Sequence, residues 1–161
     1  MNYLLFSETI DFATLDFNST EDAYVDKTLI VCGFGNIDNK NTKSKTLQCT
    51  ELLGISRDEC DGAPENIICT SSPKDNNVCG GNKLYWFNEL SHDINIFERL
   101  FSGDNGGPIY LNNTLTGRLT QVGVYAFSPN ARPNAKCLDG HKAVFTQVGP
   151  YLEWINSKTN Y

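Results

Sequence analysis

A chain of 161 residues is long enough for one domain with its own hydrophobic core, and its net charge of −6 argues against nucleic acid or an anionic membrane as the main partner. Its six cysteines, an even number, are typical of a protein that matures in an oxidising compartment. We expect no metal, because the sequence has no C-x-x-C or H-x-x-x-H pair, and we also expect no cofactor and no membrane span.

The start of the chain differs in character from the rest. Residues 1–6 are too short for the apolar part of a secretory signal peptide, and acidic residues follow soon after. This start conflicts with the cysteine content, which indicates secretion, so we interpret the sequence as a fragment. Residues 1–26 are acidic and irregular and are predicted to form an N-terminal tail.

Beyond residue 26, runs rich in β-branched and aromatic residues alternate with turn-forming residues, which predicts an all-β domain, either a barrel or a sandwich. The polar run 36–44 is predicted to be the loop of a hairpin. Residues 149–158 carry apolar side chains at helical spacing and predict a short C-terminal helix. The predicted strands cover residues 27–34, 46–55, 65–70, 108–111, 117–127 and 143–148.

One motif carries the chemistry. Residues 103–108 read Gly-Asp-Asn-Gly-Gly-Pro, one change away from a Gly-Asp-Ser-Gly-Gly-Pro turn, which presents a nucleophile on a tight loop and directs peptide N–H groups at a substrate carbonyl. Taken alone, this motif also fits an ordinary glycine-rich hairpin loop. Further motifs of one family occur in order along the chain: Gly-Phe-Gly at 33–35, cysteines at 49, 60, 69 and 137, Val-Gly-Val at 122–124, and the closing segments 144–148 and 151–155.

Together these motifs resemble the second barrel of the trypsin/chymotrypsin family of serine peptidases, over roughly residues 27–158. The resemblance implies an all-β fold, the second six-stranded antiparallel barrel of the trypsin-like fold with a short C-terminal helix. This domain is expected to occupy residues 27–161, interrupted by an insertion at about 82–103.

The resemblance places Asn105 where the family has its nucleophilic serine, in an oxyanion-hole loop formed by Gly103, Asp104 and Asn105. The family's histidine and aspartate come from a first barrel that this sequence does not contain, and neither His92 nor His141 falls at a triad position. We therefore expect a catalytically inactive serine protease homologue that acts by binding or as a decoy. The alternatives are a truncated or misspliced fragment of a secreted serine-type endopeptidase and a non-functional fragment from a pseudogene or a faulty gene model.

The role of Asp104 stays open between two interpretations. In the family this aspartate pairs with an N-terminal ammonium and thereby orders the oxyanion hole. We find no source of that ammonium in the sequence, which implies a collapsed loop. On the second interpretation, which is equally open, Asp104 is a solvated aspartate of an ordinary turn.

The resemblance also implies a vestigial specificity pocket. Asn77 falls at its base, and Ser128 and Ala143 fall at walls where the family usually carries glycine. Because no aspartate lies at the base, a basic substrate side chain has no counter-charge, and trypsin-type specificity is disfavoured.

The cysteines are assigned by the same resemblance, which implies the disulfides Cys60–Cys69 and Cys79–Cys137. A further family disulfide falls at Leu29 and Leu111. Both of its cysteines are leucine here, so the bond is absent without leaving a single unpaired cysteine. Cys49 matches a position that bonds to the first barrel in trypsins, and Cys32 has no standard partner. Because Cys32 lies across the predicted hairpin from Cys49, we expect these two to pair.

The predicted insertion has three interpretations: an unspliced intron, a helix that binds a partner, and an unstructured loop. Deleting residues 82–103 restores the family's usual spacing, and the codons for residues 81–82 and 101–103 can encode splice-donor and splice-acceptor patterns in one phase, which favours an unspliced intron. Alternatively, apolar residues at steps of three and four over 85–101 predict an amphipathic helix that binds a partner.

Partners and location follow from the family. The face that the family turns toward its first barrel should be apolar, so a missing first barrel, a second copy of the chain or another protein or peptide is expected to cover it. The cysteines and the resemblance predict an extracellular protein. Asn18 and Asn112 begin glycosylation sequons, which have meaning only if the protein is secreted.

Overall fold

A computed structural model describes residues 13–35, 43–60, 63–72, 104–113, 118–128 and 142–159. The expected insertion at 82–103, the helix predicted within it and both histidines lie outside these ranges. The described strands are β1 (Thr14–Leu15), β2 (Thr28–Gly33), β3 (Gln48–Ile55), β4 (Ile67–Ser71), β5 (Pro108–Asn113), β6 (Arg118–Phe127) and β7 (Lys142–Gln147), and they are followed by helix α1 (Leu152–Thr159).

Six of these strands form a closed antiparallel barrel. They pair in the order β6-β5-β2-β3-β4-β7, and β7 pairs back onto β6 to close the ring. Two pairs that are consecutive in the chain, β2 with β3 and β5 with β6, form the longest ladders. The predicted fold class, a six-stranded antiparallel barrel with a short C-terminal helix, is confirmed.

The hydrophobic core fills the inside of the barrel because side chains alternate between the two faces of each strand. In β2, Leu29 and Val31 are buried whereas Thr28 is exposed. The rings of Tyr125 and Phe145 meet edge to face at a centroid distance of 5.3 Å. The other core residues are Tyr24, Leu52, Ile68, Ile109, Val122 and Ala143.

Two disulfides lie in the described part of the barrel, and both join the cysteines expected to pair. Cys32 and Cys49 are directly opposite each other in the β2–β3 ladder, with their Cα atoms 4.1 Å apart. Cys60 ends the short 3₁₀ turn Arg57–Cys60 and bonds to Cys69 in β4. In the chain-entropy model, closing loops of this length contributes roughly 2–3 kcal/mol each. Cys79 and Cys137 lie outside the described residues.

Two leucines occupy the positions at which the resemblance places a lost family disulfide. Leu29 of β2 is the register partner of Leu111 of β5, and Leu29 is fully buried. The two positions therefore contribute apolar packing to the barrel, and their correspondence to a family disulfide stays a prediction.

Residues 13–26, predicted to be a tail, lie against the barrel. β1 pairs in parallel with β6, and Tyr24 is only 4% exposed. Gly54 and Gly149 make this approach possible, because a Cβ atom at either glycine would overlap the backbone carbonyl oxygen of Tyr24 or Asn18, respectively. The described part of the predicted tail therefore belongs to the domain.

Buried polar contacts hold this N-terminal segment in place. Gln147, which is 2% exposed, donates from Nε2 to the carbonyl oxygens of Asn18 at 2.7 Å and Thr20 at 3.4 Å. The hydroxyl of Tyr24 donates to Oδ2 of Asp16 at 2.7 Å. Burial, reinforced by the hydrogen bond to the Asp16 carboxylate, raises the pKa of Tyr24 above its ordinary value.

The chain turns into helix α1 through a 3₁₀ turn that contains Pro150, a residue whose fixed φ suits the first turn of a helix. Leu152 packs against the barrel, whereas Trp154 is 63% exposed. Among the described helices, none has both the length and the apolar character to cross a membrane.

Candidate functional site at the 104–107 turn

The described part of the motif, residues 104–108, folds as a tight turn that lies between the hairpin end of β2 and the start of β5. The Gly107 N–H donates to the Asp104 carbonyl oxygen at 2.8 Å, which closes a four-residue turn. Gly106, the third residue, has a φ of 81°, as a type II turn requires, and this conformation strongly favours glycine. The turn therefore needs glycine at 106 whatever side chain residue 105 carries.

Backbone hydrogen bonds attach the turn to β6. The Tyr125 N–H donates to the Gly107 carbonyl oxygen at 2.8 Å, and the Gly106 N–H donates to the Tyr125 carbonyl oxygen at 3.3 Å. Asn105, the second residue of the turn, is exposed at its tip. Its carboxamide offers two donors and one acceptor to solvent, and it carries neither a nucleophile nor a base.

The Asp104 carboxylate is held by the backbone of the β2 hairpin end. Oδ1 accepts a hydrogen bond from the Phe34 N–H at 3.1 Å, and Oδ2 accepts one from the Gly35 N–H at 2.8 Å. A Cβ atom at Gly33 or Gly35 would overlap this carboxylate. The Gly-Phe-Gly sequence thus forms a cradle for Asp104, which charge-assisted hydrogen bonds hold in place.

The structure shows the 104–107 turn formed, with its carboxylate accepting two peptide N–H groups instead of facing solvent alone. Gly103, the first residue of the expected oxyanion-hole loop, lies outside the described residues, so the collapse of that loop stays a prediction. The missed residues are Gly33 and Gly35, which the sequence analysis used only as a family motif. Their spacing was the available signal, because glycines without a turn of their own often mark the close approach of another group.

Two large apolar side chains lie exposed next to this cradle. Gly33 of β2 pairs with Gln48 of β3. Phe34 follows Gly33, Leu47 precedes Gln48, and these two side chains are 54% and 56% exposed. We call these two residues the hairpin-end patch. It lies beside the turn that presents Asn105.

The described residues of the expected pocket lie at the paired ends of β6 and β7. Phe127 pairs with Val144, so Ser128 and Ala143 are neighbours at this end, and both are only 2% exposed. Ser128 Oγ and Tyr125 Oη share a buried hydrogen bond of 3.1 Å. Asn77 and Gly103, the other expected residues of the pocket and the loop, lie outside the described residues.

No three histidine, cysteine, aspartate or glutamate side chains converge as a metal-binding group within the described ranges. The sequons are also apart from the turn, since Asn18 lies in the N-terminal segment and Asn112 in β5, and both are exposed. The structure thus brings together Asp104, Asn105 and the Gly-Phe-Gly cradle, and the turn also bonds to the backbone of Tyr125, whose hydroxyl contacts Ser128 of the expected pocket.

Comparison with known proteins shows which proteins this chain is similar to. The model of the trypsin domain matches residues 6–83. The chain is 26% identical over 160 residues to fibrinolytic enzyme isozyme C of Lumbricus rubellus, an alignment that covers 93% of this chain and 55% of that protein. It is 25% identical over 135 residues to the clotting factor G beta subunit of Tachypleus tridentatus, covering 81% of this chain and 38% of that protein. Over these residues the chain is similar to trypsin-like serine proteases.

The family match covers a different range from the resemblance over residues 27–158. It begins at residue 6, inside the segment predicted to be a tail, and ends at residue 83, beside the start of the predicted insertion. The chain spans between 38% and 55% of the length of the two relatives. Asn105 lies outside the matched range, so its correspondence to the nucleophile of the trypsin family remains a prediction from the motif.

Proposed function

We propose that this chain is a trypsin-like serine protease domain without peptidase activity, a serine protease homologue that acts by binding a protein or peptide or as a decoy. The single observation that carries the proposal is that the turn is intact while the residue at its tip is Asn105. The turn has the positive φ at Gly106 and the cradled Asp104 carboxylate, but the exposed side chain at residue 105 is a carboxamide.

The loss of activity follows from the chemistry of that side chain. A serine peptidase needs a hydroxyl that a histidine can deprotonate, so that the oxygen attacks the scissile carbonyl. A carboxamide nitrogen is not basic or nucleophilic under these conditions. Removing the serine of such a triad costs on the order of 10⁶ in rate, which leaves no physiologically useful turnover.

A binding role is supported by the surface around the turn. The hairpin-end patch exposes two large apolar side chains, Phe34 and Leu47, beside the exposed carboxamide of Asn105. Apolar surface next to polar donors and acceptors is the usual composition of a peptide-binding site. The buried walls at Ser128 and Ala143 favour a ligand that lies across the surface over one that inserts a long side chain.

An extracellular location is part of the proposal. Disulfides persist in oxidising compartments, and the described barrel has two of them. The names of the relatives refer to clotting and fibrinolysis, which are processes of body fluids. We propose the same kind of environment for this chain.

The proposal is tested by offering the purified full chain a random peptide library and reading both released fragments and retained peptides by mass spectrometry. We expect intact peptides to be retained and no cleavage to occur above that of the Asn105→Ala variant, prepared in parallel to control for contaminating peptidases. Retention should weaken in a Phe34→Ser, Leu47→Ser double variant. Cleavage by the wild-type chain that is lost in Asn105→Ala would refute the proposal.

A further inference from the structure

We infer that Asn18 carries an N-linked glycan, attached through its side-chain nitrogen Nδ2. The inference rests on the proposed extracellular location, since this modification is made in the secretory pathway. The sequence supplies the acceptor triplet Asn-Ser-Thr at 18–20, and the structure shows how this triplet is presented.

The backbone of Asn18 faces the barrel. Its carbonyl oxygen lies against Gly149 and accepts a hydrogen bond from the buried Gln147 Nε2 at 2.7 Å. Its N–H donates to Oδ1 of Asp16 at 3.2 Å. Both backbone groups are therefore committed to contacts within the domain, whereas the residue as a whole is exposed.

The side chain of Asn18 is fixed in one orientation by its own sequon. Oδ1 accepts a hydrogen bond from the Thr20 N–H at 2.9 Å, which forms an Asx turn. This bond occupies the carboxamide oxygen. Within the described part of the chain, no residue accepts a hydrogen bond from Nδ2, so the nitrogen that would carry the sugar is available.

Substitution at Nδ2 is compatible with the fold. The transfer would form a bond between Nδ2 and the anomeric carbon of a lipid-linked oligosaccharide diphosphate. The bond from that carbon to the diphosphate oxygen breaks, the lipid diphosphate leaves, and the amide nitrogen gives up one proton to the base of the transferase. None of the three hydrogen bonds of Asn18 uses Nδ2, so all of them survive the reaction.

The surroundings also favour a sugar at this place. The preceding residue, Phe17, is 79% exposed, the largest exposure among the described large apolar side chains. A glycan on Asn18 would stand beside this ring and shield it from water, which reduces an aggregation hazard.

The second sequon, which begins at Asn112, can be compared with the first. Asn112 is exposed, but it lies within β5 and pairs with Leu119 of β6 in a regular ladder. The third residue of this sequon, Thr114, lies outside the described residues, so the Asx turn is shown for the Asn18 sequon and not for this one. We therefore assign the modification to Asn18.

The test is secretion of the full chain from a eukaryotic host behind a host signal peptide, which makes entry into the secretory pathway independent of the chain's natural location. The secreted protein is treated with peptide N-glycosidase in ¹⁸O-labelled water, which marks each glycosylated asparagine as labelled aspartate. Three chains are compared: wild type, Asn18→Asp and Asn112→Asp. Asn18→Asp is the matched variant, because it keeps the Oδ1 acceptor for the Thr20 N–H and removes only the nitrogen.

We expect the label at residue 18 in the wild type and in Asn112→Asp, together with a loss of the glycosidase-sensitive mobility shift in Asn18→Asp. Recovery of the peptide that spans residue 18 in unlabelled form from the secreted wild type would overturn the inference. The proposed extracellular location is tested separately, and it is wrong if the natural protein is absent from extracellular fluid. That outcome would not change the result for Asn18 in the secreted protein.

Discussion

Two segments outside the six-stranded ladder lie on the surface of the barrel, and they are held there in different ways. The 104–107 turn contributes a side chain, the Asp104 carboxylate, to backbone N–H groups of the barrel at Phe34 and Gly35. The N-terminal segment, residues 13–26, contributes mainly backbone carbonyls, which lie against Gly54 and Gly149.

This difference decides where each segment is vulnerable to substitution. The attachment of the turn depends on one side chain within the turn and on two glycines that leave space for it. The N-terminal segment depends chiefly on residues of the barrel, the two glycines and Gln147, whereas most of its own side chains are exposed. Changes on the barrel should therefore loosen the N-terminal segment more than changes within it.

The largest expected effect is that of Gly149→Ala or Gly54→Ala. Each added Cβ would overlap a backbone carbonyl oxygen, which cannot rotate away as a flexible side chain can. Overpacking of this kind lowers the free energy of unfolding by about 3 kcal/mol. Urea unfolding followed by circular dichroism measures the loss.

Gly106→Ala is the matched control for these two variants. Its Cβ would meet nothing within 4 Å, and its cost comes from the positive φ of 81° alone. We expect a loss of about 1 kcal/mol from this backbone strain. A loss at Gly149 or Gly54 no larger than that at Gly106 would contradict the close carbonyl contacts.

The next effect is that of Gln147→Leu. Leucine is similar in size to glutamine but lacks the Nε2 donor, so the carbonyls of Asn18 and Thr20 lose a buried partner. Leaving such groups unpaired costs about 2 kcal/mol. Hydrogen exchange should show faster opening of residues 13–26 than in the wild type, while exchange in β2 stays slow. Uniform acceleration over the whole barrel would argue against a local role.

Asp104→Ala tests the other segment. It leaves the N–H groups of Phe34 and Gly35 without their acceptor, and because the site is only half-buried, water replaces part of the loss. We expect a decrease of about 1.5 kcal/mol in the free energy of unfolding. Amide chemical shifts should change at residues 33–35 and 104–107. The free energy of unfolding of Asp104→Asn, which keeps a carbonyl acceptor, should lie between those of the wild type and Asp104→Ala. Unchanged shifts at 33–35 would mean that the cradle does not hold the carboxylate.

The smallest expected effect is that of Tyr24→Phe, about 1 kcal/mol near neutral pH from the lost hydrogen bond to Asp16. Because the pKa of Tyr24 is raised in the folded state, its contribution is complete below the unfolded value of roughly 10 and declines as the pH rises past it. Urea midpoints on either side of that pH should therefore fall more in the wild type than in Tyr24→Phe. An equal alkaline decline in the two chains would rule out this residue as the source.

The two segments also differ in how well the sequence predicted them. The barrel strands were predictable because β-branched residues and turn residues alternate along the chain, and the strand predicted over 46–55 became Gln48–Ile55. The turn was predictable from its motif. The contact between Asp104 and the cradle was not, because nothing in the sequence says which group fills the space at Gly33 and Gly35.

The packing of the N-terminal segment was missed for a related reason. Apart from a few side chains, such as those of Tyr24 and Asp22, its contacts with the barrel use the backbone, which every residue has, so the segment's own sequence carries little signal. The signal lay elsewhere, in Gly54 inside a predicted strand and in Gln147 at the end of another, since glycine within a strand often marks the close approach of a second backbone.

The most direct test of the central claim is the reaction of the full chain with a fluorophosphonate, which bonds covalently to the activated serine of serine peptidases. Intact mass spectrometry reads the result without a choice of substrate, and an active trypsin-family peptidase serves as the positive control. The intact turn with Asn105 at its tip predicts an unchanged mass for this chain while the control is fully modified. A stoichiometric adduct on any serine of the folded chain, lost on denaturation before treatment, would contradict the claim that this domain has kept its turn and lost its nucleophile.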